Sequence, residues 1–407
     1  MLPNDDAAAA WAWLAARRRA GRRRDPSVAR ALLDALSLPD PAAVIHVVGT
    51  NGKGSVTTAL AAMARAAGIS AGAFVSPHVE RFDERIAVDG AAIAPATVNA
   101  FVDGVRERVA TGEAALGAAG FFEWTLALAL HDFHARGARL AVIEAGVGAR
   151  FDATSALGNT IATVITNVDL DHLETLGPDL ASIARDKSAS IRPGVPVVTG
   201  ARGVALAVIT EQAQRQGAPL LVVDSSTPAA RLPETVRSQS LREGWPATRL
   251  DNLRLAFAVG RTLGWPEHAL AAGASAPPPP ARFEVFWCDG VRVILDGAHD
   301  PAAAARLGAD LPADTVLVFA ALARKRGAET LAALQPRVAR VVVTSADASE
   351  APGAWPADAR LADPEQALRT ALAWAGSGGT VAIAGSLYLA GRLRHVLLDA
   401  APHVSAG

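Results

Sequence analysis

The sequence predicts an α/β protein of two domains, each built on a mainly parallel sheet. Three observations carry that expectation. Near-continuous apolar runs alternate with amphipathic stretches of helical length, the pattern left by strands that helices cover on both faces. The alternation breaks once, at 274–281 (ASAPPPPA), where four consecutive prolines make a stiff, extended connector. A chain of 407 residues exceeds one ordinary core, so the break reads as a domain boundary, with 1–276 in a larger domain and 277–407 in a smaller one.

In the larger domain the apolar runs 43–49, 71–75, 140–146, 161–168, 195–200 and 219–224 read as strands. Their shortness and their β-branched residues favour strand over helix. The amphipathic stretches 53–67, 96–111, 121–136, 180–191 and 250–263 read as helices between and after them. Beyond the prolines the pattern restarts, with strands expected at 291–296, 315–320, 338–344 and 380–384. No repeat of solenoid period is present.

Composition narrows the function classes. Lys+Arg (39) nearly cancels Asp+Glu (40), which excludes a generally basic nucleic-acid coat. The run RRRAGRRR (17–24) reads as a solvated helix end in an arginine-rich chain. One cysteine, Cys288, excludes a disulfide framework or a cysteine-rich zinc module. No apolar run reaches the roughly 20 residues that span a bilayer, and the first residues lack the pattern of a secretion signal. A cytoplasmic monomer with neither nucleic-acid nor membrane partners is expected. Only Lys53, Lys187 and Lys325 are lysines among the basic residues. Arginine cannot lose its proton, whereas lysine is a compact charge that can point at a phosphate or become a neutral nucleophile.

The strongest motif follows the first strand: Gly49-Thr50-Asn51-Gly52-Lys53-Gly54-Ser55, leading into a helix. Three glycines allow a tight turn that offers backbone N–H groups to an anion. The helix adds its positive end, Lys53 a mobile charge, and Ser55 or Thr57 a hydroxyl for Mg²⁺. The spacing departs from the usual nucleotide loop: the first glycine of that pattern would fall on Val47, and Gly54 separates lysine from serine. The bland alternative is a glycine-rich strand-to-helix turn; ATP binding is the expectation.

HVVGTNGKGSV resembles the phosphate loop of the folylpolyglutamate synthase and dihydrofolate synthase family, within the Mur ligase superfamily. The resemblance continues in order through SPHVERFDERI (76–86), FFEWT (121–125), EAGVGARFDAT (144–154), ITNVDLDHLETLG (165–177), IARDKSASI (183–191), ARFE (281–284), LDGAHDP (295–301) and AGSLY (384–388). It implies a Mur-ligase-type ATPase domain followed by a smaller Rossmann-like α/β domain. It also implies an ATP-dependent ligase that adds L-glutamate to dihydropteroate or to tetrahydrofolate (poly)glutamates through an acyl phosphate.

Site residues follow from the match. Ser76, Glu144 and Asp171-His172 each follow or end an expected strand, where active residues of open α/β sheets collect. The resemblance implies two Mg²⁺ ions held by Ser55, Ser76, Glu144, His172 and Lys187, the lysine as a carbamate. Unaided, His172 reads first as a hydrogen-bonded loop residue and Lys187 as a solvated helix lysine. Lys53, Glu144, His172 and Lys187 form the implied catalytic set. Asn252, Arg282 and Asp296 join residues 49–55 at the nucleotide, with ATP as cosubstrate. Ser76, Pro77, His78 and Arg150 match substrate-contacting loops. Phe122 would stack on a pterin with Glu123 and Thr125 bonding its edge, although FFEWT by itself reads first as a helix start. His299 and Ser386 match positions near the incoming glutamate.

Four departures stand out. Asp300 replaces a usual asparagine, Asp169 a small residue, and Thr248 a histidine. ALARKRG (321–327) reverses the charge of an acidic stretch, through Arg324 and Arg326. A Mur-type ligase for another carboxylate and amine, or a catalytically silent nucleotide-binding homologue, are the competing readings.

Overall fold

The computed structural model describes residues 7–17, 25–322, 326–346 and 352–400. Arg324, Lys325 and most of the arginine run (18–24) lie outside the described residues. The described residues fall into two compact units, within Leu2–Trp245 plus Arg249–Pro277 and within Pro246–Thr248 plus Pro278–Gly407.

The first unit is built on an eight-stranded sheet. Its strands are β1 (Val44–Val48), β2 (Ala71–Phe74), β3 (Ile86–Val88), β4 (Ala91–Ala92), β5 (Leu140–Glu144), β6 (Thr160–Ile165), β7 (Val197–Thr199) and β8 (Leu220–Val222). Their spatial order is β4-β3-β2-β5-β1-β6-β7-β8, with only β3 and β4 antiparallel to their neighbours. All five residues of β1 are buried, the expected state of a central parallel strand. Ile45 and Val47 pack with Leu60, Met63 and Phe257, while Val44 joins Trp11, Phe74 and Trp124 in a second cluster. The sheet is therefore covered on both faces.

The strands β3 and β4 are not legible in the sequence. They are three and two residues long, too short for a periodic signal, and they form a hairpin around Asp89 and Gly90, both at positive φ. The expected strand 161–168 stops at Ile165, releasing Thr166, Asn167 and Val168 as a loop. The helix expected at 180–191 ends at Ser188 and is capped by Asp179, which accepts from the Ser182 N–H.

Among its described residues the second unit holds six strands: β9 (Glu284–Cys288), β10 (Val291–Leu295), β11 (Thr315–Phe319), β12 (Val338–Val343), β13 (Ala359–Arg360) and β14 (Thr380–Ala384). Their order is β13-β12-β11-β14-β10-β9, parallel except for β9. Among the described residues no helix is long and apolar enough to cross a membrane.

Helix Lys53–Ala66, which follows β1, is held from behind by helix Glu267–Ala274. A Cβ on Gly273 would lie 2.4 Å from the Met63 backbone nitrogen, so the two helices approach as closely as glycine allows. Gly273→Ala should lose stability despite alanine's better helix propensity, by about 2 kcal/mol, because backbone cannot move aside. Gly104→Ala, where the added Cβ meets open space within helix Pro95–Ala110, should instead gain roughly 1 kcal/mol. Urea unfolding of both variants checks the opposite signs.

Candidate functional site: a braced phosphate loop

Gly49 (φ 148) and Gly52 (φ 82) turn the chain between β1 and helix Lys53–Ala66. Both positions need glycine. A Cβ would lie 1.8 Å from Thr166 Oγ1 at the first and 2.3 Å from Asn252 Oδ1 at the second. The loop that leaves β6 anchors the turn. The Thr50 N–H donates to the Asn167 carbonyl (3.0 Å) and the Asn51 N–H to Asn167 Oδ1 (2.8 Å). Thr166 Oγ1 donates to the Asn51 carbonyl (2.7 Å), and the Asp169 N–H to Thr50 Oγ1 (3.0 Å). Asn167 Nδ2 donates to Asp169 Oδ2 (3.3 Å), which explains one unusual residue, since Asp169 orients the amide that holds the turn. Thr50 and Asn51, expected among the anion binders, thus have their N–H groups already engaged. The donors left for an anion are those of the turn's end and the opening of the helix, from Gly52 to Ser55.

Strand register brings the acid to this opening. Val47 lies opposite Glu144, so β1 and β5 deliver the loop and the carboxylate side by side. Glu144 is buried, with Oε1 3.8 Å from Lys53 Nζ and Oε2 accepting from the Ser76 N–H (2.9 Å). Lys53 also donates to the Thr50 carbonyl (3.1 Å). Lys53, Glu144 and Ser76 therefore meet, and the Thr57 hydroxyl is buried nearby in sequence without a hydrogen-bond partner. Serine hydroxyls and a buried carboxylate are the hard oxygen donors that Mg²⁺ prefers, so this donor set fits the ion. His172 begins the short helix Leu173–Leu176 in left-handed conformation; its ring is 41% exposed and 3.4 Å from Asp171.

Lys187 is buried, and its ammonium donates to the Gly49 carbonyl (2.7 Å). Burial, then the positive charge of Lys53, push its pKa down to about 7, against the opposing charges of Asp186, Asp171 and Asp152. A solvated helix lysine it is not. Asp186 is itself tied to the strand-end loop, accepting from the Ala149 N–H (2.7 Å). Arg150, in that loop, is exposed.

The aromatic segment is only partly as expected. Phe122 lies 5.6 Å from Phe74, and a Cβ on Gly146 would touch both Phe122 Cζ (2.9 Å) and Asp152 Oδ2 (3.2 Å). Glu123 instead caps its own helix, accepting from the Gly120 N–H (3.0 Å). Thr125 is fully buried and donates to the Phe122 carbonyl (2.9 Å). Neither side chain faces outward, because the helix starts at Phe121 and turns both inward. His78, beyond Pro77, is buried and accepts at Nδ1 from Arg85 Nε (2.7 Å). Burial, then the charge of Arg85, lower its pKa to about 3, so it is neutral.

Several residues of the site carry little signal in the sequence. His46, in the middle of β1, is buried with Nε2 2.8 Å from Thr154 Oγ1, and that hydroxyl donates to Asp152 Oδ1 (2.6 Å). The hydroxyl proton being used, His46 carries its hydrogen on Nε2. Its pKa falls to about 3 through burial and then the charge of Arg192. A histidine inside an apolar strand is the one available signal. Asn167 and Thr166 lie in the matched segment ITNVDLDHLETLG, but nothing in their residue types marks them as the anchors of the turn.

In the second unit Asp296 is half-buried, accepting from the N–H groups of Phe283 (2.8 Å) and Ala298 (2.8 Å). Burial raises its pKa, with Arg282 pulling the other way. His299 Nδ1 lies 2.9 Å from the Gly297 carbonyl and donates to it. Asp300 caps helix Pro301–Asp310 through the Ala303 N–H (2.9 Å), a role asparagine fills equally well. Ser386 Oγ accepts from the Tyr388 N–H (3.2 Å). Arg326 pairs with Glu329, and Thr248 lies in the first turn of helix Ala247–Thr262.

A parallel sheet with an anion-binding turn at the carboxyl end of its central strand, and a carboxylate beside it, defines a nucleotide-binding α/β protein. Comparison with known proteins narrows the class. Residues 281–387 match the Mur ligase glutamate ligase domain. The dihydrofolate synthase/folylpolyglutamate synthase of Mycobacterium tuberculosis is 32% identical over 365 residues, covering 79% of this chain and 74% of that protein. The probable bifunctional folylpolyglutamate synthase/dihydropteroate synthase of Haloferax volcanii is 33% identical over 355 residues, covering 79% of this chain and 41% of that protein. The chain thus spans less than half the length of that relative. Escherichia coli FolC in complex with DHPP and ADP superposes with a TM-score of 0.82 at 27% identity, over 96% of this chain and 97% of that one. The Yersinia pestis bifunctional folylpolyglutamate synthase/dihydrofolate synthase complexed with AMPPNP and Mn ion gives 0.79 at 25% identity, over 96% of this chain and 98% of that one. The chain belongs to the folylpolyglutamate synthase/dihydrofolate synthase family, with its two-part Mur ligase fold.

Lys187 makes a measurable pH signature. Its folded pKa, about 7, lies below the ordinary 10.5 of the unfolded chain. The unfolded state therefore binds the extra proton between those values, and stability linked to this group rises with pH across the window. Lys187→Met removes the linkage. Its stability relative to the parent protein should be most favourable at pH 7 and decline steadily toward pH 10 in urea titrations. A flat difference would contradict the buried, destabilised ammonium.

Proposed function

We propose that the chain is an ADP-forming amide ligase joining L-glutamate to a folate-class acid, either dihydropteroate or a tetrahydrofolate (poly)glutamate. The observation that carries the reading is the meeting of Lys53, Glu144 and Ser76 at the opening of a turn whose other donors are already engaged. The 1–276 domain binds ATP and the pterin acid, and the 277–407 domain serves the incoming glutamate. The protein works as a cytoplasmic monomer, with no nucleic acid or membrane as partner.

The chemistry proceeds in two displacements. The acid's carboxylate attacks the γ-phosphorus of ATP in line, the bond from that phosphorus to the β–γ bridging oxygen breaks, and ADP departs to leave an acyl phosphate. The amine of glutamate attacks the acyl carbon, inorganic phosphate leaves, and the amine's proton passes to solvent or phosphate. N–H groups from Gly52 to Ser55 and the Lys53 ammonium hold the triphosphate and spread the charge that develops on the transferred group. Ser55, Ser76, Glu144, His172 and carbamylated Lys187 are the residues to hold two Mg²⁺ ions. Magnesium held there would supply Lewis-acid neutralisation of the phosphate charge. Carbamylation needs the neutral amine, and a Lys187 pKa of about 7 supplies it near neutral pH. Phe122 offers a ring face to the pterin, with Asp152 beside it to accept from the heterocycle edge. The Mn ion and nucleotide of the Yersinia pestis structure, and the DHPP and ADP of the Escherichia coli structure, support this assignment.

The deciding experiment measures ADP release with glutamate while the acid varies among dihydropteroate, tetrahydrofolate and unrelated carboxylates. Glutamate-dependent release with a folate acid is expected. Lys53→Ala and Glu144→Gln should each lower kcat by about 10²–10³-fold with the fold intact by circular dichroism. Turnover with another acid alone, or with none, would overturn the assignment.

A further inference from the structure

We propose that Glu284, Arg394 and Asp296 form a brace that holds a strained turn, so that the Arg282 guanidinium stands ready for a phosphate group of the nucleotide. The three are positioning residues for that arginine, and the proposal rests on the ATP-dependent ligase reading above.

The turn is Ala281-Arg282-Phe283-Glu284, directly after the four prolines. Ala281 and Phe283, neither of them glycine, sit at φ 51° and 55° on either side of Arg282. Left-handed backbone is unfavourable for residues with a Cβ and persists only where the surroundings over-determine it. Here they do. The Ala281 N–H donates to Glu284 Oε2 (3.0 Å), and the Gly297 N–H donates to the Ala281 carbonyl (2.9 Å). The Phe283 N–H donates to Asp296 Oδ2 (2.8 Å), while Asp296 Oδ1 takes the Ala298 N–H (2.8 Å). Glu284 is in turn gripped by Arg394, whose Nε reaches both carboxylate oxygens (3.1 and 2.9 Å) and whose Nη2 reaches Oε1 (2.9 Å). Their side chains are only 23% and 18% exposed, so solvent screens this fork-to-fork pair little.

The Arg282 guanidinium is half-buried and makes no hydrogen bond or ion pair with any described residue. Its Nη1 lies 3.4 Å from where a Cβ on Gly297 would be, so Gly297 leaves it room. A surface arginine needs neither two left-handed neighbours nor two carboxylates fixing them. An arginine that must meet an anion without first being ordered does, because the ordering is done before the ligand arrives. Asp296, which the family resemblance places at the nucleotide, has a structural part as well. Both its oxygens are engaged by backbone N–H groups that shape the turn.

A double-mutant cycle tests this, read as kcat/KM for ATP in glutamate-dependent ADP release. Arg282→Ala and Glu284→Ala should each lower it by about 30-fold, and the double variant should match Arg282→Ala within about threefold. Arg394→Ala should behave as Glu284→Ala does. An equal further loss from Glu284→Ala in the Arg282→Ala background would assign the brace to stability alone and overturn the proposal, as would no loss in the parent protein. Should Glu284→Ala fail to fold, Glu284→Gln, which keeps an acceptor for the Ala281 N–H, is taken through the same cycle with a smaller expected effect. If no folate acid drives turnover, the ligase reading fails by itself. The cycle is then read on ATP affinity by calorimetry, where additive or absent effects overturn the brace and non-additive losses support it.

Discussion

Two adjacent strands ending side by side, with their following loops locked together, are the constraint on which this molecule depends. Where β1 stops, the chain turns through Gly49 with no room for a side chain, because Thr166 stands where a Cβ would be. Thr166 and Asn167 can do this only because β6 ends at Ile165. The turn's carbonyls and N–H groups are taken by Thr166, Asn167, Lys187 and Lys53, leaving the helix opening as the free anion receptor. A loop held in this way needs no reorganisation when charge arrives, which is the form of preorganisation that favours phosphoryl transfer.

Charge at this opening is balanced by burial rather than by number. Lys53 has the buried Glu144 opposite, so neither is left alone in a poorly solvated place. Lys187 instead gives its ammonium to a backbone carbonyl, and its proton is correspondingly loose. Two lysines a short distance apart thus differ in kind. One faces a buried carboxylate, the other a backbone carbonyl with its pKa lowered to about 7.

Many of the polar residues that stand out in the motifs serve backbone. Glu123, Asp300, Ser386 and Asp296 all accept from N–H groups at helix starts or turns, and Asp169 orients an amide. A motif therefore records geometry as much as chemistry. The same holds in the second unit, where the carboxylates around Arg282 shape the turn that carries it.

Sequence by itself determined the α/β class, the phosphate turn and most strands and helices, because apolar periodicity and glycine spacing are local and the chain obeys them. Lys53, Glu144 and Ser76 were legible for the same reason, since each lies at a strand end or turn that the pattern marks. Only tertiary structure decided which donors remain open, that His46 reaches Asp152 through Thr154, that Glu123 and Thr125 turn inward, and that Lys187 is buried near a second lysine. Those outcomes depend on strand register and helix rotation, which place residues more than a hundred positions apart within hydrogen-bond distance, and no local pattern encodes them.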